Sequence, residues 1–118
     1  MKIRLSPVLM NEELSASVSG DVITLNGVSL DFSPLPEGGR LPAAAILNQW
    51  VLGDVERVGG EICLTLILPH GSRAPFETRF PAAYTVPMTV GDGHVPLPIY
   101  NEPEEADAPT QGQEEGAI

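Results

Sequence analysis

The chain has 118 residues, enough for one modest hydrophobic core and no second one once an acidic terminal stretch is set aside. Its single cysteine, Cys63, excludes an intrachain disulfide and a thiolate-rich metal site. Sixteen acidic against six basic residues give a net charge of −10, which repels phosphate backbones and anionic membrane surfaces and so disfavours both as partners.

At the start of the chain Lys2 and Arg4 stand among alternating apolar and polar residues, and Pro7 cuts the run short. Residues 1–9 therefore read as a short strand and not as a cleaved signal. The longest apolar run, residues 64–69, falls far short of the roughly 18 residues that span a bilayer, so a soluble protein is expected.

Residues 14–32 carry the clearest pattern: three runs alternating apolar and polar, joined by Gly20-Asp21 and Asn26-Gly27, dipeptides that suit two-residue hairpin turns. A loop at Asn26-Gly27 pairs Leu25 with Val28 and Ile23 with Leu30. A loop at Gly20-Asp21 pairs Val18 with Ile23 and Ala16 with Leu25. Both registers put Ala16, Val18, Ile23, Leu25, Val28, Leu30 and Phe32 on one face, so turn chemistry and hydrophobic pattern predict the same meander independently.

Residues 33–39 read as a loop. The stretch from Pro42 through three alanines to Trp50 is the one helical candidate, at most about two turns, with Ile46 and Leu47 expected to pack on a sheet. A second hairpin follows: residues 54–58, a Gly59-Gly60 turn and residues 61–68, with Val55 beside Leu64. Ile62, Leu64, Leu66 and Leu68 share a core side, and apolar Cys63 and Ile67 opposite predict a central strand covered on both faces. Residues 76–80 read as a further short strand, and residues 86–90 and 95–99 flank a turn at 91–94. Pro96 and Pro98 make the last an edge strand or extended segment.

Beyond Tyr100 the chain turns to Glu, Pro, Gln, Gly and Ala with six acids and no base, a composition too poor in apolar residues to offset its ordering entropy. The expected organisation is one mainly β domain over residues 1–100 and an acidic disordered tail over 101–118. Antiparallel hairpins would form a small sandwich or a partly open barrel, with one short helix.

Little in this pattern points to catalysis. His70 and His94 lie beside glycines in predicted loops, and His70 has Ser72 nearby with Asp54 or Glu77 as a conceivable orienting acid. Ser72 nevertheless lacks the Gly-x-Ser-x-Gly elbow of a nucleophile, and residues 68–71 are ordinary strand-to-turn punctuation. Cys63, in mid-strand among apolar neighbours, reads as a small hydrophobe. The two histidines lack the short spacings of zinc ligands, and neither double glycine forms a phosphate loop. The expectation is a non-enzymatic chain with no cofactor and no metal. Trp50 reads first as a core residue under the short helix and second as a binding hot spot. The candidate interaction residues are Trp50, His70, Arg73 and Tyr100.

Four strings, residues 31–38, 53–57, 64–71 and 78–81, resemble a family of small uncharacterised proteins encoded near tail genes of tailed bacteriophages and prophages. The resemblance covers roughly residues 1–100. It implies no catalytic residues and points to an interaction module in tail assembly or a minor tail component, located in the bacterial host cytoplasm or on the virion. Its partners would be phage tail or other virion proteins, or a host protein, with a homo-oligomer also open. The charge supports an alternative, an acidic inhibitor seated on a basic surface of a host protein. A small hydrolase using His70 is the second alternative.

Overall fold

A computed structural model describes residues 1–103. Nine strands form among them: β1 (Lys2–Leu9), β2 (Ala16–Ser19), β3 (Val22–Leu25), β4 (Val28–Asp31), β5 (Arg40–Leu41), β6 (Val51–Val58), β7 (Glu61–His70), β8 (Met88–Thr89) and β9 (Gly93–His94). They make two sheets, a five-stranded one in the order β5-β6-β7-β1-β8 and a four-stranded one in the order β4-β3-β2-β9. Neither sheet closes on itself, so between sandwich and barrel the molecule is two open sheets sharing one apolar cluster. Ile3, Leu5, Ile62, Leu64, Leu66 and Leu68 enter that cluster from the larger sheet, and Ala16, Val18, Ile23 and Leu25 from the smaller.

The smaller sheet follows the predicted registers pair for pair: Ala16 with Leu25, Val18 with Ile23, Ile23 with Leu30 and Leu25 with Val28. Asn26 and Gly27 both take positive φ, the requirement of a tight hairpin turn. The Asn26 side chain adds to the turn, accepting the Ser15 N–H at 2.7 Å and donating to the Glu13 carbonyl at 3.0 Å. One residue departs from the predicted face. Val28 is exposed, at the start of the edge strand β4 beside the Asn26-Gly27 turn.

The second hairpin also forms, but with an interruption. Glu56 faces Cys63 and Leu52 faces Thr65, so Gly53, Asp54 and Val55 together oppose the single residue Leu64. Gly53 absorbs this bulge with a φ of 69°. Val55 still reaches the core. β7 is central as expected, with Ile62, Leu64, Leu66 and Leu68 buried; its other face is covered only in part, and Cys63 and Ile67 are half-buried there.

Three expectations are corrected. The larger sheet is mixed and not purely antiparallel, because β1 runs parallel to β7 with Ile3 opposite Leu64 and Leu5 opposite Leu66. Parallel neighbours need a long crossover, and here it contains the whole meander, β5 and β6. The helix α1 spans only Ala43–Ile46, since Leu47 turns left-handed at φ 56° and is 89% exposed, off the sheet. The turn is needed to bring Trp50 into the core. Asn48 accepts the Trp50 N–H on its side chain at 2.9 Å, and the Trp50 carbonyl takes the Ile67 N–H at 2.8 Å. Finally, residues 76–80 are not a strand. Phe76–Arg79 form the single-turn helix α2, followed by a 3₁₀ turn at Ala82–Tyr84. Pro75 at the start and Pro81 just past the end bracket α2 as proline brackets helices. Residues 95–99 form no strand, consistent with their extended reading, and only the Val95 N–H reaches the smaller sheet, at the Ala16 carbonyl.

One side chain fastens both sheets to the 33–39 loop. Arg57 of β6 donates to the carbonyls of Leu35 at 2.6 Å, Gly60 at 3.1 Å and Phe32 at 3.2 Å, and pairs with Asp21 of the meander at 2.9 Å. The same loop returns Glu37 to the Gly59-Gly60 turn, where its carboxylate accepts both backbone N–H groups at 2.8 and 2.7 Å.

Where the neighbouring strands β1 and β7 begin, Glu61 meets Lys2 at 3.3 Å and the N-terminal ammonium at 3.6 Å. The hydrogen bond from Lys2 holds the Glu61 carboxyl below its ordinary value, with the attraction of both cations adding to it against a desolvation that acts the other way. A carboxyl with a lowered folded pKa stabilises above its unfolded pKa and loses that contribution as pH falls through the folded one. Lys2→Met should therefore raise the Glu61 titration midpoint in a carbon NMR titration and reduce the stabilisation that Glu61 gives above it, the N-terminal ammonium retaining a part. An unmoved midpoint would show that Lys2 is not its cause.

Candidate interaction surface

The four residues singled out in the sequence separate in the structure. Trp50 is 4% exposed and part of the apolar cluster, which takes its ring away from any partner and leaves the core reading. His70, Arg73 and Tyr100 do come together, where the segment 97–102 crosses the end of β1 and β7. The Gly71 N–H donates to the Tyr100 carbonyl at 2.9 Å, and the Glu102 N–H to the Arg73 carbonyl at 3.1 Å. The Arg73 N–H donates to the Asn101 side chain at 3.0 Å, and the Tyr100 hydroxyl to the Met10 carbonyl. Asn101 and Glu102, at the start of the acidic stretch, are thus fastened to residues 71–73. The remainder of that stretch, residues 104–118, lies outside the described residues.

These contacts give the three residues structural work. Tyr100 and Arg73 anchor the crossing segment, and a Cβ on Gly71 would displace the Asn101 side-chain amide that accepts the Arg73 N–H. His70 holds its Nδ1 3.1 Å from the Gly71 carbonyl, which can only accept, so Nδ1 carries the proton in that bond. No hydrogen bond links His70 to Ser72, Asp54 or Glu77 among the described residues, and Asp54 lies 3.6 Å from Arg40. The described residues hold no group of three or more His, Cys, Asp or Glu placed to bind a metal ion. They also hold no helix long and apolar enough to cross a membrane.

The surface that sequence reading missed lies beside this crossing. Thr78, fully buried in α2, donates its hydroxyl to the Ile99 carbonyl at 2.6 Å and fixes the helix against the crossing segment. With Thr78 turned in, the neighbouring aromatics turn out. Phe76, Phe80 and Tyr84 are 67, 61 and 62% exposed, half of the six aromatic residues in the chain. Phe76 and Phe80 sit one helical turn apart with ring centroids 4.9 Å apart, and the Arg79 guanidinium stands 5.7 Å from the Phe80 centroid while its Nε donates to the Ala74 carbonyl at 3.0 Å. An open cleft of about 690 Å³ runs between Phe80, Pro81, Ala82 and Tyr84 on one wall and Ser6 and Pro7 of β1 on the other. Leu9 and Val86 add exposed apolar side chains in the adjoining segments.

A sequence signal for this surface exists in the spacing. Phe76 and Phe80 fit the i, i+4 period of a helix as well as the period of a strand, and Pro75 with Pro81 decides between them. Three rings about two-thirds exposed offer roughly 350 Å² of apolar surface, the size of the largest apolar patch on an ordinary soluble monomer, which is often the functional one. No family model, curated protein or solved structure matches this chain.

Proposed function

We propose that this chain is a non-enzymatic protein-interaction module that meets its partner through the face formed by Phe76, Phe80 and Tyr84. The observation that carries the reading is the outward display of half the chain's aromatic residues in one nine-residue segment, with the core complete without them. Aromatic rings cost little conformational entropy when buried at an interface and are enriched at hot spots. The resemblance to proteins encoded near phage and prophage tail genes supplies the setting: tail assembly or a minor tail component, in the host cytoplasm or on the virion.

The test is affinity capture of tail proteins from a phage-producing host, alongside mass spectrometry of purified virions. The wild-type chain should capture a tail or virion protein, and Phe76→Ser/Phe80→Ser/Tyr84→Ser should lose it while remaining folded. Absence of the chain from virions together with no captured tail protein would leave the reading without support.

The net charge of −10 favours a second reading, an inhibitor held on a basic surface of a host protein. Capture of that kind should weaken steeply as salt rises and be indifferent to loss of the rings.

A further inference from the structure

The aromatic face is bordered by one acid and one base on a chain that is otherwise strongly acidic. Residues 75–90 contain only Glu77 and Arg79 as charged side chains, so this segment is neutral within a molecule of net charge −10. Two copies meeting on this segment would therefore bring no net like charge together. Both charges are exposed, and neither forms an ion pair among the described residues. The one described side-chain hydrogen bond of Arg79 uses Nε, at the Ala74 carbonyl.

Their placement on α2 is regular. At about 100° per residue, Glu77 and Arg79 project about 160° apart on the single turn of α2, with Phe76 between them and Phe80 at the C-cap bonded back to the Phe76 carbonyl. The aromatic stripe therefore has an acidic flank and a basic flank. A two-fold axis running along the helix lays the stripe of one copy on the stripe of the other and exchanges the flanks. Glu77 of each copy then comes opposite Arg79 of its mate.

From this self-complementarity we infer that the aromatic face is filled by a second copy of the chain, in a two-fold dimer built on α2 that is the form in which the chain meets a tail protein. The inference rests on reading this face as the interaction surface and adds the identity of its occupant. Two-fold dimers are the commonest closed assemblies, and they require a patch complementary to itself. The rings alone supply roughly 350 Å² per copy, close to half of the about 800 Å² a side that stable interfaces bury, and the cleft walls beside them are available for the rest.

Sedimentation equilibrium of the full chain tests this. The wild type should show a concentration-dependent monomer–dimer equilibrium. Glu77→Arg and Arg79→Glu should each weaken it by about tenfold or more, because each replaces two attractions with two repulsions. An equimolar mixture of these two variants should form a heterodimer nearly as tight as the wild type, since both crossed pairs are then complementary. The double variant Glu77→Arg/Arg79→Glu should likewise dimerise, and Phe80→Ser should not, with circular dichroism checking that each is folded. A wild type that stays monomeric, a dimer indifferent to these changes, or a mixture no tighter than its components would overturn the inference. A monomeric chain that still captures a tail protein through Phe76, Phe80 and Tyr84 would overturn the dimer and leave the interaction module standing.

Discussion

Leu25→Asp is expected to destabilise the protein by several kcal/mol, on the order of 4, or to prevent folding, because it places a carboxylate at a fully buried position with no cation to pair with. Thr24→Asp, on the opposite face of β3, should cost about 1 kcal/mol or less, the loss being mainly the 2.9 Å contact between the Thr24 and Ser29 hydroxyls. The contrast isolates the register from the chemistry of the substitution. Chemical denaturation of both variants measures it; equal losses would mean that the meander is out of register or that both its faces are buried.

The second large effect concerns Arg57. Its guanidinium is mostly buried and makes four contacts, to Leu35, Gly60, Phe32 and Asp21, that tie the second hairpin to the 33–39 loop and the meander. Arg57→Ala removes charge-assisted bonds and deprives the half-buried Leu35 carbonyl of its described side-chain donor, a cost of about 2 kcal/mol. Arg57→Lys should recover little of it, since an ammonium cannot span acceptors that a planar fork reaches together. Asp21→Asn should be milder, because Asp21 is one acceptor among four and is itself about one-third exposed. A melting temperature in Arg57→Lys equal to wild type would show that charge, and not the fork, is what the loop needs.

The parts of this fold that local chemistry determines were legible in the sequence. Asn26-Gly27 and Gly20-Asp21 allow few backbone geometries, and the alternating residues on either side admit one register with the apolar face inward, so the meander and its pairs follow from the residues alone. The Gly59-Gly60 hairpin followed in the same way, but the bulge at residues 53–55 did not, since nothing local distinguishes a strand that must bend from one that runs straight. The parallel pairing of β1 with β7 was not legible for a different reason. Alternation reports which side chains face inward and is silent about the direction of the neighbouring strand.

The interaction surface was hidden by an ambiguity of period. Phe76, Thr78 and Phe80 alternate with charged residues, which reads as a half-buried strand with its rings inside. The prolines on either side impose a helical turn instead, and Thr78, the smallest of the three, takes the inner position by bonding to the Ile99 carbonyl. Trp50 shows the converse. Tryptophan is a frequent hot-spot residue, yet here Leu47 and Asn48 reverse the chain to bury it, and the exposed aromatic role passes to α2. His70, Arg73 and Tyr100 were singled out as surface residues, and they do meet, but their described bonds run to the crossing segment and its neighbours.

The most direct measurement of whether the α2 face is where this protein meets a partner is an amide proton–nitrogen correlation spectrum of the full chain, recorded from dilute to concentrated solution. Shifts confined to residues 76–86 and to residues 6–9 across the cleft, with the meander amides unmoved, are the predicted result. Spectra in which residues 76–86 stay fixed while the meander or the residues around His70 and Arg73 move would contradict it.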